Sequence, residues 1–160
     1  MFGISSLGWL HTLGSLPAIP AAIYMLTRHG RIMAHSKTGV VYFISMLIGC
    51  MTVFLIAQQT ISYIVGIITM ILLLVGYGVG RLSIARNISK YIETICLTLT
   101  VFLLMVPTVS ETLRRVPDGH PIATALNSPI LIDSQIVLFI ALIVCLSLQI
   151  NYLRKNIDAS

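Results

Sequence analysis

Of the four histidines in this 160-residue chain, only His11 falls inside a long apolar run; His29, His35 and His120 lie in short polar segments. Imidazole is a general acid or base near neutral pH and a common metal ligand. An ionisable side chain at membrane depth must face the protein interior and find a partner there. His11 is therefore the first candidate for a site. The competing reading is structural, a histidine bonded to a serine or a carbonyl with small neighbours packed around it. His11 stands about eight residues from the start of its run, roughly 12 Å at 1.5 Å per residue. The same depth on the other runs reaches Met51 with Cys50, Met70 with Thr69, and Met105. Imidazole and thioether together are ligands for haem iron or soft copper. Methionine is also a common filler of irregular interiors.

The polar segment "RHGRIMAHSKTG", residues 28 to 39, supplies a second candidate. Its His29 and His35 are six residues apart and do not share a helix face. His35, with Arg31 and Lys37, could hold a quinone or another anionic head, or cap the run that follows. The same cations serve equally as a membrane anchor. His120 could fold toward His11, yet a bis-histidine haem needs imidazoles at matched depth on facing helices, and the later runs contain none. Glu93 and Glu111 sit near opposite ends of one run, and Glu111 is spaced for a local ion pair with Arg114 and Arg115. No serine–histidine or cysteine–histidine arrangement and no HExxH motif occurs, so hydrolysis is disfavoured and no catalytic residue is assigned. The cysteines, Cys50, Cys96 and Cys145, are odd in number and embedded in apolar sequence, which argues against disulfides or a zinc site.

These residues need elements to hold them, and the composition says which. The chain is 57% hydrophobic and 9% charged, with a mean hydropathy of +0.97. Soluble domains carry about a quarter charged residues, so the bilayer is the natural solvent of this chain. Five runs, 3–26, 39–57, 61–80, 91–112 and 134–153, are each near the ~20 residues that cross a bilayer as a helix. Their continuous apolarity, without two-residue alternation, favours helices over barrel strands. The expected fold is all-α, a single domain over 1–160 with about five transmembrane helices. The first run lacks a basic n-region and a small-residue cleavage site, and reads as a retained helix and not a signal peptide.

The net charge of +5 resides in segments between runs, the pattern of topology signals and headgroup contacts, with no nucleic-acid motif. Arg28, Arg31 and Lys37 follow the first run, Arg81, Arg86 and Lys90 follow the third, and Arg154 and Lys155 end the fifth. The positive-inside rule then puts the N-terminus outside and the C-terminus inside. Gly8, His11, Ser15, Ala18 and Ala22 form a small and polar stripe on the first run, opposite Leu10, Leu13, Leu16, Ile19 and Tyr24. Pro17 and Pro20 weaken that helix. Gly76 and Gly80 form a GxxxG motif, a close-packing device within the chain or toward a second copy or a partner protein. The segment between the fourth and fifth runs, rich in proline, reads as an irregular lid or a short interfacial helix.

The stretch "LGWLHTLGSLPAIPAAIYML" followed by "HGRIMAHSKTGVVYFISMLIG" resembles an uncharacterised bacterial family of small multi-helix membrane proteins. The shared pattern is a histidine in the first helix (His11), a basic residue and glycine (Arg28 to Gly30), a second histidine (His35) and a glycine (Gly39). The likeness covers about the first 55 residues. His29 intervenes between arginine and glycine here, and Ser36 stands where the family usually has arginine. A role as a membrane electron carrier has been suggested for that family. The resemblance thus implies a bacterial inner-membrane protein handling redox equivalents through haem b or quinone; the spacing and charge of the residues themselves add Arg31 and Met105 to His11 and His35 as candidate cofactor contacts. The alternatives are an accessory or scaffold subunit, or a small solute or ion carrier built around the kinked first helix.

Overall fold

Proline and glycine decide where the helices stop. The computed structural model describes residues 5–57, 59–82, 86–117, 120, 122–123, 125 and 128–158. Its helices are α1 (Ser6–Ser15), α2 (Ala18–His29), α3 (Lys37–Ile56), α4 (Thr60–Gly78, continued by a 3-10 turn Val79–Arg81), α5 (Arg86–Arg115) and α6 (Pro129–Asp158). No strand occurs among the described residues. Four helices, α3 to α6, are each long and apolar enough to cross a membrane. The chain is a multi-pass membrane protein whose apolar helices meet the bilayer.

The first apolar run is not one helix. Pro17 and Pro20 bring no N–H to the ladder, and the chain divides into α1 of 10 residues and α2 of 12. Neither alone reaches the ~20 residues a crossing requires. α2 ends at Gly30, whose φ of 70° is the left-handed conformation that glycine adopts without a Cβ clash. Residues 31–36 then fold inward, burying Ile32 and Ala34. Ser36, not His35, caps α3: its hydroxyl oxygen accepts from the Gly39 N–H at 2.9 Å.

α3 is the hub. α1 and α2 pack along it on one side and α4 on the other, α4 packs on α5, and α6 packs on α5. Phe54 stacks on Tyr63 near one end of α3–α4, and the Tyr77 hydroxyl donates to the Gly39 carbonyl at 2.5 Å near the other, so these helices run antiparallel. The core gathers Ala18, Ala21, Ala22 and Met25 of α2 around Tyr42, Met46, Leu73 and Leu97. Small α2 side chains let three larger helices close over them. Tyr42, fully buried, shares a hydrogen bond of 2.8 Å with Thr100, which satisfies a phenol that apolar burial alone would strand. Leu10, Leu13, Leu16 and Tyr24 are exposed, as the striped pattern of the first run requires of a lipid-facing side, whereas Ile19, expected with them, is half-buried.

α5 and α6, 30 residues each, outrun the apolar stretches that announced them. Hydropathy marks only the part of a helix that lipid covers, while hydrogen bonding carries the ladder on into polar sequence. Between them the described residues are irregular and turn back on α5, with the Ala123 N–H donating to the Leu113 carbonyl at 2.9 Å.

Candidate functional site

His11 owes its place to the close approach of α1 and α3. A Cβ on Gly49 would stand 3.1 Å from the Ser15 Cβ, so the bare glycine lets α1 settle against α3. The imidazole Nδ1 then lies 2.8 Å from Thr52 Oγ1. Thr52 directs its one hydroxyl proton to the Ile48 and Gly49 carbonyls, at 2.7 and 3.1 Å. With that proton given to a carbonyl, the oxygen accepts from the imidazole, and in this tautomer Nδ1 carries the proton and Nε2 the lone pair.

The half-buried ring borders an open cavity of about 430 Å³ lined mainly by α1, α3, α4 and α5. Its wall is mostly apolar, with Met46, Cys50, Val65 and Leu104 among the contributors. Thr12 of α1 and Thr108, Glu111 and Thr112 toward the end of α5 also border it. Pro107 lies within α5 and lines the cavity together with Leu103. Having no N–H, Pro107 leaves the Leu103 carbonyl, four residues earlier, without its helical donor. Concave, largely apolar and furnished with a few polar groups, the cavity has the character of a small-molecule site.

Counting depth along the runs found some of this lining and missed the rest. Cys50 and Thr69 border the cavity; Met51 is 57% exposed on the far side of α3, and Met70 and Met105 are not on the wall. Leu104 and Thr108, and not Met105, are the α5 residues at this level of the wall. The lining thioether is Met46. Met46 sits six residues from Thr52, about 9 Å along the helix. Two axial ligands of one haem iron must face each other across the ring, whereas Met46 lies more than a helical turn from the Thr52 that pairs with His11. Pro107, visible in "LLMVPTVSE", was the signal that could have pointed to the α5 wall.

The second candidate group comes apart. Thr52, beside His11, is 17 residues beyond His35, about 25 Å along helical backbone, so the two histidines do not share a site. His35 is exposed, and its Nε2 would meet a Cβ on Gly80 at 3.5 Å. Arg31 does not join it as an anion clamp. The guanidinium turns to Glu93 of α5 at 3.7 Å, with Thr94 Oγ1 at 3.5 Å, and the two charged side chains are only 17% and 13% exposed. Arg31 is neutralised in place and ties the α2–α3 segment to α5. His29 meets the edge of Tyr24, and His120 is exposed. Glu111 pairs with Arg114 at 3.5 Å and Arg115 at 2.5 Å, as their spacing requires.

Gly76 spends its small size within the chain, since a Cβ there would lie 2.5 Å from Leu97 of α5. Among the described residues no three His, Cys, Asp or Glu side chains gather as a metal site. Comparison with family models, with curated proteins and with solved structures returns no match.

Proposed function

We propose that this protein binds the ring of a membrane quinone in the cavity beside His11, and so handles redox equivalents in a bacterial inner membrane. The observation that carries the reading is a ligand-sized cavity inside the bundle, bordered by an imidazole whose orientation is fixed by Thr52. A quinol moves two electrons and two protons as one neutral molecule, so its carriage through apolar surroundings needs no buried charge. The mostly apolar wall suits such a ring. Quinone fits this lining better than haem b, for which His11 finds no facing second ligand.

The proposed topology has five crossings, the first made by α1 and α2 as a broken helix. Together they span residues 6–29, about 36 Å of helical rise, enough for a core of ~30 Å. Arg28, Arg31, Lys37, Arg81, Arg86, Lys90, Arg154 and Lys155 belong to one end of the bundle, against Arg114 and Arg115 at the other. That asymmetry orients the N-terminus outside and the C-terminus inside. The His11 cavity then opens in the outer half of the membrane.

Organic extraction of the purified protein, with its absorption spectrum before and after borohydride, tests the reading. The expected result is a quinone band that bleaches on reduction, at near one quinone per chain, and that is lost in His11→Ala. A Soret band would replace quinone by haem. A preparation with neither removes the redox reading.

A further inference from the structure

We infer that the cavity selects the hydroxylated, reduced form of its ligand, a quinol over the corresponding quinone; this rests on the quinone reading above. The polar groups of the wall are almost all acceptors. Thr12 donates its hydroxyl proton to the Gly8 carbonyl at 2.9 Å, Ser15 to His11 at 2.7 Å, and Thr69 to Val65 at 2.8 Å. Thr108 donates to Leu104 at 2.6 Å and Thr112 to Thr108 at 2.7 Å. Each of these oxygens keeps lone pairs and no uncommitted proton. In the tautomer with its proton on Nδ1, His11 adds an Nε2 lone pair, and Pro107 adds the Leu103 carbonyl it leaves without a donor. Among the described lining hydroxyls only Ser62 has no carbonyl to donate to.

A ligand that brings its own O–H therefore gains a hydrogen bond that nothing in the protein gives up. A carbonyl ligand can be served by these threonines only if a hydroxyl leaves its helix carbonyl, one bond exchanged for another. Charge narrows the class further. At the rim Glu111 stands against two guanidinium groups, Arg114 and Arg115, so a lipophilic ammonium meets no net negative charge there. The ligand is a neutral hydroxylated ring.

Calorimetric titration of the detergent-solubilised full chain, under argon, with a decyl-substituted benzoquinol, its benzoquinone and 4-decylphenol separates the possibilities. One additional hydrogen bond corresponds to a preference of up to about tenfold for the quinol over the quinone. Thr69→Val, which removes one acceptor at nearly constant shape, is expected to weaken quinol binding severalfold and leave the quinone unchanged. The wild-type ratio stands as the test should that variant fail to fold. Equal or tighter binding of the quinone overturns the inference and leaves the quinone site intact. A phenol that binds as tightly as the quinol supports donor selection and removes the redox reading. No binding by any of the three overturns both.

Discussion

Thr52 is the residue on which the site turns. Its hydroxyl lies within hydrogen-bond reach of both the His11 Nδ1 and the backbone of α3, so one side chain ties the imidazole to the helix. Thr52→Val keeps the shape and removes the acceptor, leaving a half-buried N–H unpaired. The expected loss in thermal or denaturant stability in detergent is about 1–2 kcal/mol, together with weaker retention of the co-purified ligand. Thr52→Ser should restore both. A valine variant as stable and as well loaded as the parent would show that Thr52 does not orient His11. His11 itself was legible in the sequence, because a lone histidine in an apolar run has few roles open to it. Thr52 was not, because its pairing with His11 spans 41 residues and depends on how α1 lies against α3. Met105 misled for the same reason: depth along a helix can be counted from sequence, whereas the direction of a side chain around it depends on packing.

At the scale of elements, the tie between Arg31 and Glu93 holds the α2–α3 segment to the start of α5. Removing one member of a buried pair strands the other charge. For this partly buried pair Arg31→Ala is expected to cost about 1–2 kcal/mol, and the double variant Arg31→Met, Glu93→Leu to recover most of it. An Arg31→Ala protein of unchanged stability would make the pair incidental. Gly39 is the other strict requirement here, since a Cβ would overlap the Met33 and Ala34 carbonyls where α3 leaves the loop. Gly39→Ala should lower the melting temperature by several degrees, the amount about 1–2 kcal/mol implies for a chain of this size; an unchanged melting temperature would mean the turn shifts freely. The helices were readable from their apolar runs, and Pro17 and Pro20 announced a weakness in the first. That weakness becomes a break because α1 packs its glycines and serine on α3 while α2 packs its alanines into the core. The Arg31–Glu93 pair was hidden, since each residue looked locally like a charge near an interface.

Across the whole molecule, apolar helices flank the His11 cavity, and most of the cations gather at the end far from it, with Arg114 and Arg115 at its rim. The proposed orientation follows from that asymmetry. In intact cells a membrane-impermeant maleimide should label Arg114→Cys and spare Lys37→Cys; the opposite pattern would invert the topology and place the cavity toward the cytoplasm. The central claim is that the His11 cavity is where a quinone-type ring binds. Photolabelling of the purified protein with an azidoquinone, followed by mapping of the modified peptides, addresses it most directly. The expected adducts fall between residues 11 and 19, across α1 and the start of α2, and on α5 between residues 103 and 112, and they diminish in His11→Ala. Adducts confined to the exposed face of α6, or to the segment around His35, would contradict the account.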